Sequence, residues 1–210
     1  MKARARRQVW VGQGRRWSAL ATVVGLLLAS CGTGAPNRRA AEYLDEGTSA
    51  TIARVDEPVT FFSDDPARAA NARDYIQAAP LLVNQLGKRS WWLWLGLWST
   101  IDRGVIGAAA EPGGLAKVVL LVDGEPMELD AGAGVDSVPG VSQVPYTTPV
   151  ATANNVYLPL TGSQLARLGR ASSIAIRTDM ASGDVRVWQP WSSTGRFSDF
   201  TALAVPGSAP

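Results

Sequence analysis

Acidic side chains are the groups in this chain that could carry acid–base chemistry. The 210 residues include no histidine and one cysteine, which excludes a Ser-His-Asp or Cys-His catalytic site and any cysteine–histidine zinc or haem site. Two carboxylates about 5 to 9.5 Å apart can hydrolyse a glycosidic bond without histidine. The candidates form two groups along the sequence, which are Asp56, Glu57, Asp64 and Asp65, and Asp123, Glu125, Glu128 and Asp130.

Neither acidic group has the spacing of a known catalytic or metal site. Glu125 and Glu128 have opposite parity on a predicted strand, so they point to opposite faces. The ligand spacing of a calcium-binding EF-hand loop is missing from residues 123–130. Asp102 and Arg103 predict only a surface ion pair, which contributes little stability. We therefore interpret the acids as solvated turn residues, and we predict no catalytic residue, no cofactor and no metal site.

Tryptophan is the second candidate residue type, because its rigid ring can stack on a sugar or on an extended peptide. Residues 89–99, RSWWLWLGLWS, contain four tryptophans and are apolar on both faces when read with a period of two residues. This pattern favours a central strand packed in the core. Trp191 lies beside a proline and serines and is expected to be exposed. We take Trp191 and Trp98 as candidate ligand or partner contacts.

The amino-terminal residues have the polarity of a secretory signal. Six basic residues precede an apolar run from Ala19 to Ala29, and the first acidic residue is Glu42. A membrane-spanning helix needs roughly 20 apolar residues, and this run is shorter and contains Thr22 and Gly25. The sequence therefore predicts a signal peptide over residues 1–30.

The run ends in Leu28-Ala29-Ser30-Cys31, which resembles the lipobox of bacterial lipoproteins. The resemblance implies cleavage between Ser30 and Cys31 and attachment of a diacylglyceryl group to the Cys31 sulfur. Acyl chains contribute about 0.8 kcal/mol per buried methylene, so two or three chains hold a protein on a membrane. Gly32 replaces the aspartate that commonly retains such proteins at the inner membrane, which implies the periplasmic face of the outer membrane in a Gram-negative cell. The alternative is an ordinary secreted protein with an unpaired cysteine near its cleavage site.

Cleavage before Cys31 would also change the charge of the protein. The signal carries six of the 20 basic residues and none of the 18 acidic ones, so the mature chain would have a net charge of −4. This excludes the concentrated positive surface used for nucleic-acid binding. The remaining chain is long enough for one domain whose core needs no disulfide.

Short alternating apolar segments between frequent turn signals predict a β-rich domain in the mature chain. We expect a lipidated amino terminus and flexible tether over residues 31–47, and a domain over residues 48–210. Frequent turns without β-α-β alternation predict about nine strands in an antiparallel β-sandwich or barrel-like fold. Proline at position 80 places the strand at residues 75–86 on a sheet edge. Further strands are predicted at 48–55, 59–62, 89–99, 117–122, 125–129, 143–151, 155–160, 173–178 and 185–188.

At most three short helices are predicted. The residues from Ser63 could cap a helix that runs to about Asn71. Thr161 and Gln164 form a capping-box pattern that opens a helix ending at Gly169. The tail at residues 197–205 could be a helix or a strand.

Taken together, these features predict a lipid-anchored protein of the bacterial cell envelope with a non-enzymatic binding or assembly role. Its expected partners are the membrane, through the lipid, and an envelope protein or glycan. Two other classes stay open. One is a carboxylate-dependent hydrolase of envelope polymers, and the other is a subunit of a secretion or surface-assembly system that pairs through an exposed sheet edge.

Overall fold

The structure is a computed structural model that describes residues 40–64, 73–100, 115–130, 134–150, 153–180 and 183–204. Two helices lie in these residues, α1 (Gly162–Gly169) and α2 (Arg196–Ala204). The same residues form ten strands, which are β1 (Ala40–Asp45), β2 (Ala50–Val55), β3 (Val59–Asp64), β4 (Arg73–Gln85), β5 (Lys88–Ser99), β6 (Leu115–Val122), β7 (Glu125–Leu129), β8 (Asn154–Leu160), β9 (Ile174–Met180) and β10 (Val185–Pro190).

All strand pairings are antiparallel, and they form one sheet with two halves. The first half contains β8, β5, β4, β2, β3 and β1, and the second contains β10, β9, β6 and β7. Strand β10 joins the halves, because its last two residues pair with β3 and its first four pair with β9. The sheet does not close on itself. The prediction of a mainly antiparallel, sandwich-like β domain is therefore confirmed.

Two buried apolar clusters hold this arrangement together. The first combines side chains of both halves, including Phe61 and Ile76 from one and Leu120 and Trp188 from the other. The second packs the first half of the sheet against helix residues and the segment 134–150. Each fully buried large apolar side chain contributes roughly 1.5 to 3 kcal/mol relative to an exposed one.

Strand β5 supplies both clusters, as its sequence predicts. Leu93 and Leu95 belong to the first cluster, and Trp94 belongs to the second. The strand is central, because β4 and β8 pair with its two edges. Its alternation of leucine and tryptophan thus corresponds to two buried faces.

Strand β4 is central rather than on an edge, which corrects the prediction made from Pro80. It pairs along its length with β5, while β3 pairs with residues 73–78 and β2 pairs with residues 81–84 on the other side. Pro80 falls in the gap between these two pairings. A residue without an N–H therefore lies where β4 has no partner on that edge, which is where proline is tolerated.

The structure corrects three further predictions, which concern the tether, one strand and one helix. Strand β1 lies within residues 31–47, which were expected to be tether, so the domain begins earlier than position 48. The predicted strand at 143–151 is wrong, because residues 143–150 are irregular; prolines 145 and 149 supply no backbone donors for a ladder. Ser63 and Asp64, predicted to open a helix, belong to β3, and the remainder of that predicted helix lies outside the described residues.

The helix at the carboxyl end of the described chain settles the open alternative for residues 197–205, because Arg196–Ala204 is helical. The predicted strands at 117–122 and 125–129 pair as a hairpin through Asp123-Gly124, with positive φ angles of 54° and 83° at these two residues. Within the described residues, no helix has the length and apolarity needed to cross a membrane.

Candidate functional site

The aromatic row, defined as Phe62, Tyr75, Trp98 and Trp191, crosses one face of the first half of the sheet. Phe62 pairs with Tyr75, and Tyr75 pairs with Trp98, so these three side chains point to the same face. The rings of Tyr75 and Trp98 are stacked with centroids 4.1 Å apart, and those of Phe62 and Trp191 meet edge to face at 5.4 Å. Both predicted contact residues, Trp98 and Trp191, therefore belong to one surface feature.

The guanidinium of Arg73 lies within the aromatic row. Its central carbon is 5.4 Å from the ring centroids of both Phe62 and Trp191, which is a cation–π distance. Its Nε donates to the Asp64 carboxylate at 2.8 Å. The hydrogen bonds with Asp64 and Tyr75 raise the pKa of Arg73. Arg73 is therefore a fixed cation that joins the rings of the row.

Trp191 is the most accessible member of the row, with 59% of its surface exposed. Its backbone is nevertheless held in place, because its N–H donates to the Thr60 carbonyl at 2.8 Å. The Ser192 hydroxyl accepts from the Thr60 N–H at 2.9 Å. A large exposed ring is thus presented from a backbone that is already ordered.

The ring geometry bears on what this surface can bind. Tyr75 and Trp98 cover each other's faces, and Arg73 lies over Phe62 and Trp191. A sugar ring stacks on a free aromatic face, whereas the edges of packed rings form a ridged apolar surface. The packed edges of the row therefore offer a ridged apolar surface to the side chains of a protein.

The other tryptophans in the described part of the chain are mainly structural, as their pattern predicts. Trp94 is fully buried and Trp188 is 3% exposed. The indole N–H of Trp94 donates to the Asn155 side chain, and that of Trp188 donates to the Thr178 hydroxyl, both at 2.9 Å. Trp91 and Trp92 are partly buried.

Most of the candidate acids lie in ion pairs or turns. Arg196 binds both Asp56 and Glu57 at 2.8 Å. Lys117 binds Glu128 at 2.6 Å, and this hydrogen bond lowers the pKa of the Glu128 carboxyl. The Asp123 carboxylate accepts from the backbone N–H groups of residues 172 and 173. Glu125 and Asp130 are exposed.

These contacts give the candidate acids structural roles in ion pairs and turns. The described residues include no group of three or more acidic side chains placed to hold a metal ion. Asp65, Asp102 and Arg103 lie outside the described residues, as do the predicted lipidation residues Ser30 and Cys31.

Sequence reasoning missed Phe62, Tyr75 and Arg73 as members of the candidate site. The sequence offered only one indication, which is that Arg73 and Tyr75 are two residues apart on a strand and therefore share a face. Their approach to Trp191 depends on the pairing of β3 with β10, which joins residues more than 120 positions apart. Comparison of the chain with protein-family models, curated proteins and solved structures finds no match.

Proposed function

We propose that this protein is a lipid-anchored component of the bacterial cell envelope that docks a partner protein through the aromatic row. The anchor is the lipid on Cys31, and the docking surface is centred on Trp191. The role is binding or assembly, without catalysis.

The exposure of Trp191 beside Arg73 is the observation that supports docking most directly. Tryptophan, tyrosine and arginine are the residues most enriched among those that dominate binding energy in protein interfaces. An ordered backbone at Trp191 reduces the entropy lost on binding. The surface therefore has both the composition and the rigidity of a protein-docking site.

The sequence between anchor and domain limits where the partner can be. Nine residue steps separate Cys31 from Ala40, the first residue of β1. A fully extended chain of this length spans about 30 Å. A domain anchored in this way stays near the membrane, so its partner is a membrane protein or another protein at the membrane surface.

Site-specific photo-crosslinking in the producing cell tests the docking surface. A photoreactive residue at position 193, exposed and close to Trp191, should give a discrete adduct with one protein. The same residue at position 185, exposed at the start of β10, serves as the control. Trp191→Ala should remove the adduct at position 193, because truncating a central interface tryptophan weakens binding roughly 30-fold or more.

The same experiment includes the outcome against the proposal. Identical adducts from positions 193 and 185, or an adduct that persists in Trp191→Ala, would show that the aromatic row does not dock the partner. The Trp191→Ala variant should keep an unfolding temperature close to that of the wild type, since Trp191 is mostly exposed.

A further inference from the structure

A polar cleft lies on the first half of the sheet beside the turn between β1 and β2. Its volume is about 450 Å³, and it is open to solvent. Residues of β1, of the turn, of β2 and of the segment 142–147 line it, including Tyr43, Glu46, Arg54, Val144 and Thr147. Its size is within the range of small-ligand sites in proteins.

The walls of the cleft are held together by the Asp45 carboxylate. It accepts from the Ser142 N–H at 2.8 Å and from the Ser142 hydroxyl at 2.7 Å. It also accepts from the backbone N–H groups of Gly47 and Thr48. The segment 142–147 is thereby fixed to the turn, so the cleft exists before any ligand binds.

Arg54 is the only cationic side chain that lines the cleft in the described part of the chain. Its guanidinium carbon lies 5.0 Å from the ring centroid of Tyr43 and 5.1 Å from that of Tyr146. The Tyr146 hydroxyl donates to the Val55 carbonyl at 3.0 Å, which fixes that ring. The guanidinium of Arg54 therefore lies over both tyrosine rings, which hold it in the cleft.

This arrangement leaves the charge of Arg54 without a carboxylate partner among the described residues. Burial raises the pKa of both Tyr43 and Tyr146, so both rings are neutral phenols at neutral pH and neither supplies a negative charge. Asp45 lines the cleft, but its oxygens are taken by the donors of Gly47, Thr48 and Ser142. A planar guanidinium favours a carboxylate or phosphate ligand.

The acids around the cleft distinguish between these two anions. Asp45 and Glu46 both line it, and Glu46 is exposed at its rim. Their negative charges oppose a dianion about twice as strongly as a monoanion. A singly charged carboxylate therefore fits the electrostatics better than a phosphate dianion.

We propose that this cleft is a second binding site, which takes a carboxylate through Arg54 and places the apolar remainder of the ligand against Tyr43 and Val144. The carboxylate can come from a small free acid or from the carboxyl terminus of a peptide. The site is separate from the aromatic row and does not depend on docking there.

Titration of the folded domain with defined probes, followed by the NMR shifts of the Gly47 and Ser142 amides, tests the site. The probes are acetate, inorganic phosphate, and acetyl-trialanine with either a free or an amidated carboxyl terminus. Saturable shifts with acetate and the free-acid peptide alike indicate a small acid as the source. Tighter binding of the free-acid peptide than of acetate indicates a peptide terminus.

Substitutions connect the binding to the named residues. Arg54→Lys should weaken the free-acid peptide roughly tenfold, because lysine cannot form the bidentate pair. Glu46→Gln should tighten it roughly two- to threefold, because an opposing charge is removed without touching Arg54. Arg89→Lys, at an exposed position of β5 outside the cleft lining, is the matched control and should change nothing.

The proposal is overturned if no carboxylate gives saturable shifts, if the amidated peptide binds as well as the free acid, or if phosphate binds more tightly than acetate. It is equally overturned if Arg54→Lys, shown to be folded by its amide spectrum, binds like the wild type. Should Arg54→Lys not fold, an affinity unchanged by Glu46→Gln contradicts the proposal.

Discussion

At the scale of single residues, Asp45 shows how one buried carboxylate can organise distant parts of the chain. It is 7% exposed and ties Ser142, 97 positions away, to the turn that follows β1. The hydrogen bonds from Ser142 hold the pKa of Asp45 below its ordinary value of 3.8. The ionised form is therefore the one that the folded protein stabilises.

Replacing Asp45 with asparagine should remove part of the acid sensitivity of folding. A lowered pKa in the folded state contributes stability above the ordinary value, and that stability is lost as the pH falls below about 4. In the wild type, the urea midpoint should therefore fall more between pH 6 and pH 3 than in Asp45→Asn. At pH 6 the variant should unfold a few degrees below the wild type, since its amide N–H₂ cannot accept the donors of Ser142.

Glu42→Gln, an exposed acid on the same strand, provides the control for this change. Its urea midpoints should follow those of the wild type at both pH values. An Asp45→Asn variant that loses as much stability on acidification as the wild type would exclude the assigned role.

The residue scale also shows what the sequence can and cannot predict. The exposure of Trp191 and the burial of Trp94 follow from neighbouring residues and from period-two parity. The roles of Asp45 and Arg73 do not, because both depend on partners brought close by strand pairing. Local patterns carry no record of such contacts between distant segments.

At the scale of elements, helix α1 was predictable from its first turn. Thr161 and Gln164 form the capping box that their spacing predicts, and the helix ends at Gly169. Its packing was not predictable. A Cβ atom at Gly169 would lie 2.5 Å from the buried side chain of Thr201 on α2, so the two helices touch at a residue without a side chain.

Gly169→Ala should therefore destabilise the protein even though alanine favours helices. The gain in helix propensity is at most about 1 kcal/mol, while overpacking against a buried neighbour costs about 1 to 3 kcal/mol. We expect a net loss of about 1 to 2 kcal/mol in the free energy of unfolding, measured by urea titration.

Gly162→Ala in the same helix is the matched control, because a Cβ atom there has no neighbour within 4 Å. It should leave stability unchanged or raise it slightly. If both alanine variants are equally stable, the close contact between α1 and α2 is not as the structure shows it.

Strands were predicted correctly where a turn signal and a period-two alternation occur together. The predictions failed where only one of these signals was present or where a single proline, Pro80, was taken to mark a sheet edge. The hairpin of β6 and β7 follows from Asp123-Gly124. β1 was missed because AAEYLD has no clear alternation of apolar and polar residues. The segment 143–150 alternates like a strand, but it is irregular, and its Tyr146 ring packs on the sheet with its centroid 5.0 Å from that of Trp94.

At the scale of the whole molecule, an ion pair links the two halves of the sheet. The Arg186 guanidinium on β10 binds the carboxylate of Asp74 on β4. Asp74 is 2% exposed, so its charge is almost fully removed from water. A buried carboxylate that loses a cationic partner costs far more than an exposed one.

Arg186→Met should lower the free energy of unfolding by about 3 kcal/mol or more, because Asp74 stays buried without this guanidinium. The double variant Asp74→Asn with Arg186→Met should recover part of the loss, since the buried negative charge is gone. Chemical denaturation of both variants measures the two values. An Arg186→Met variant within about 0.5 kcal/mol of the wild type would mean that the pair does not join the halves.

The proposed place of the molecule in the cell rests on Cys31. The described residues of the protein include no membrane-spanning helix. The attachment that we propose is through lipid on Cys31. Docking at a membrane surface follows only if that lipid is present.

Mass spectrometry of the amino-terminal peptide, from protein purified out of the membrane fraction of a bacterial host, tests this claim most directly. We predict a chain that begins at Cys31 and carries a diacylglyceryl thioether on its sulfur, and a Cys31→Ser variant that lacks the lipid and keeps its signal. A wild-type peptide that retains residues ahead of position 31, or that begins at Cys31 with a free thiol, would contradict the account.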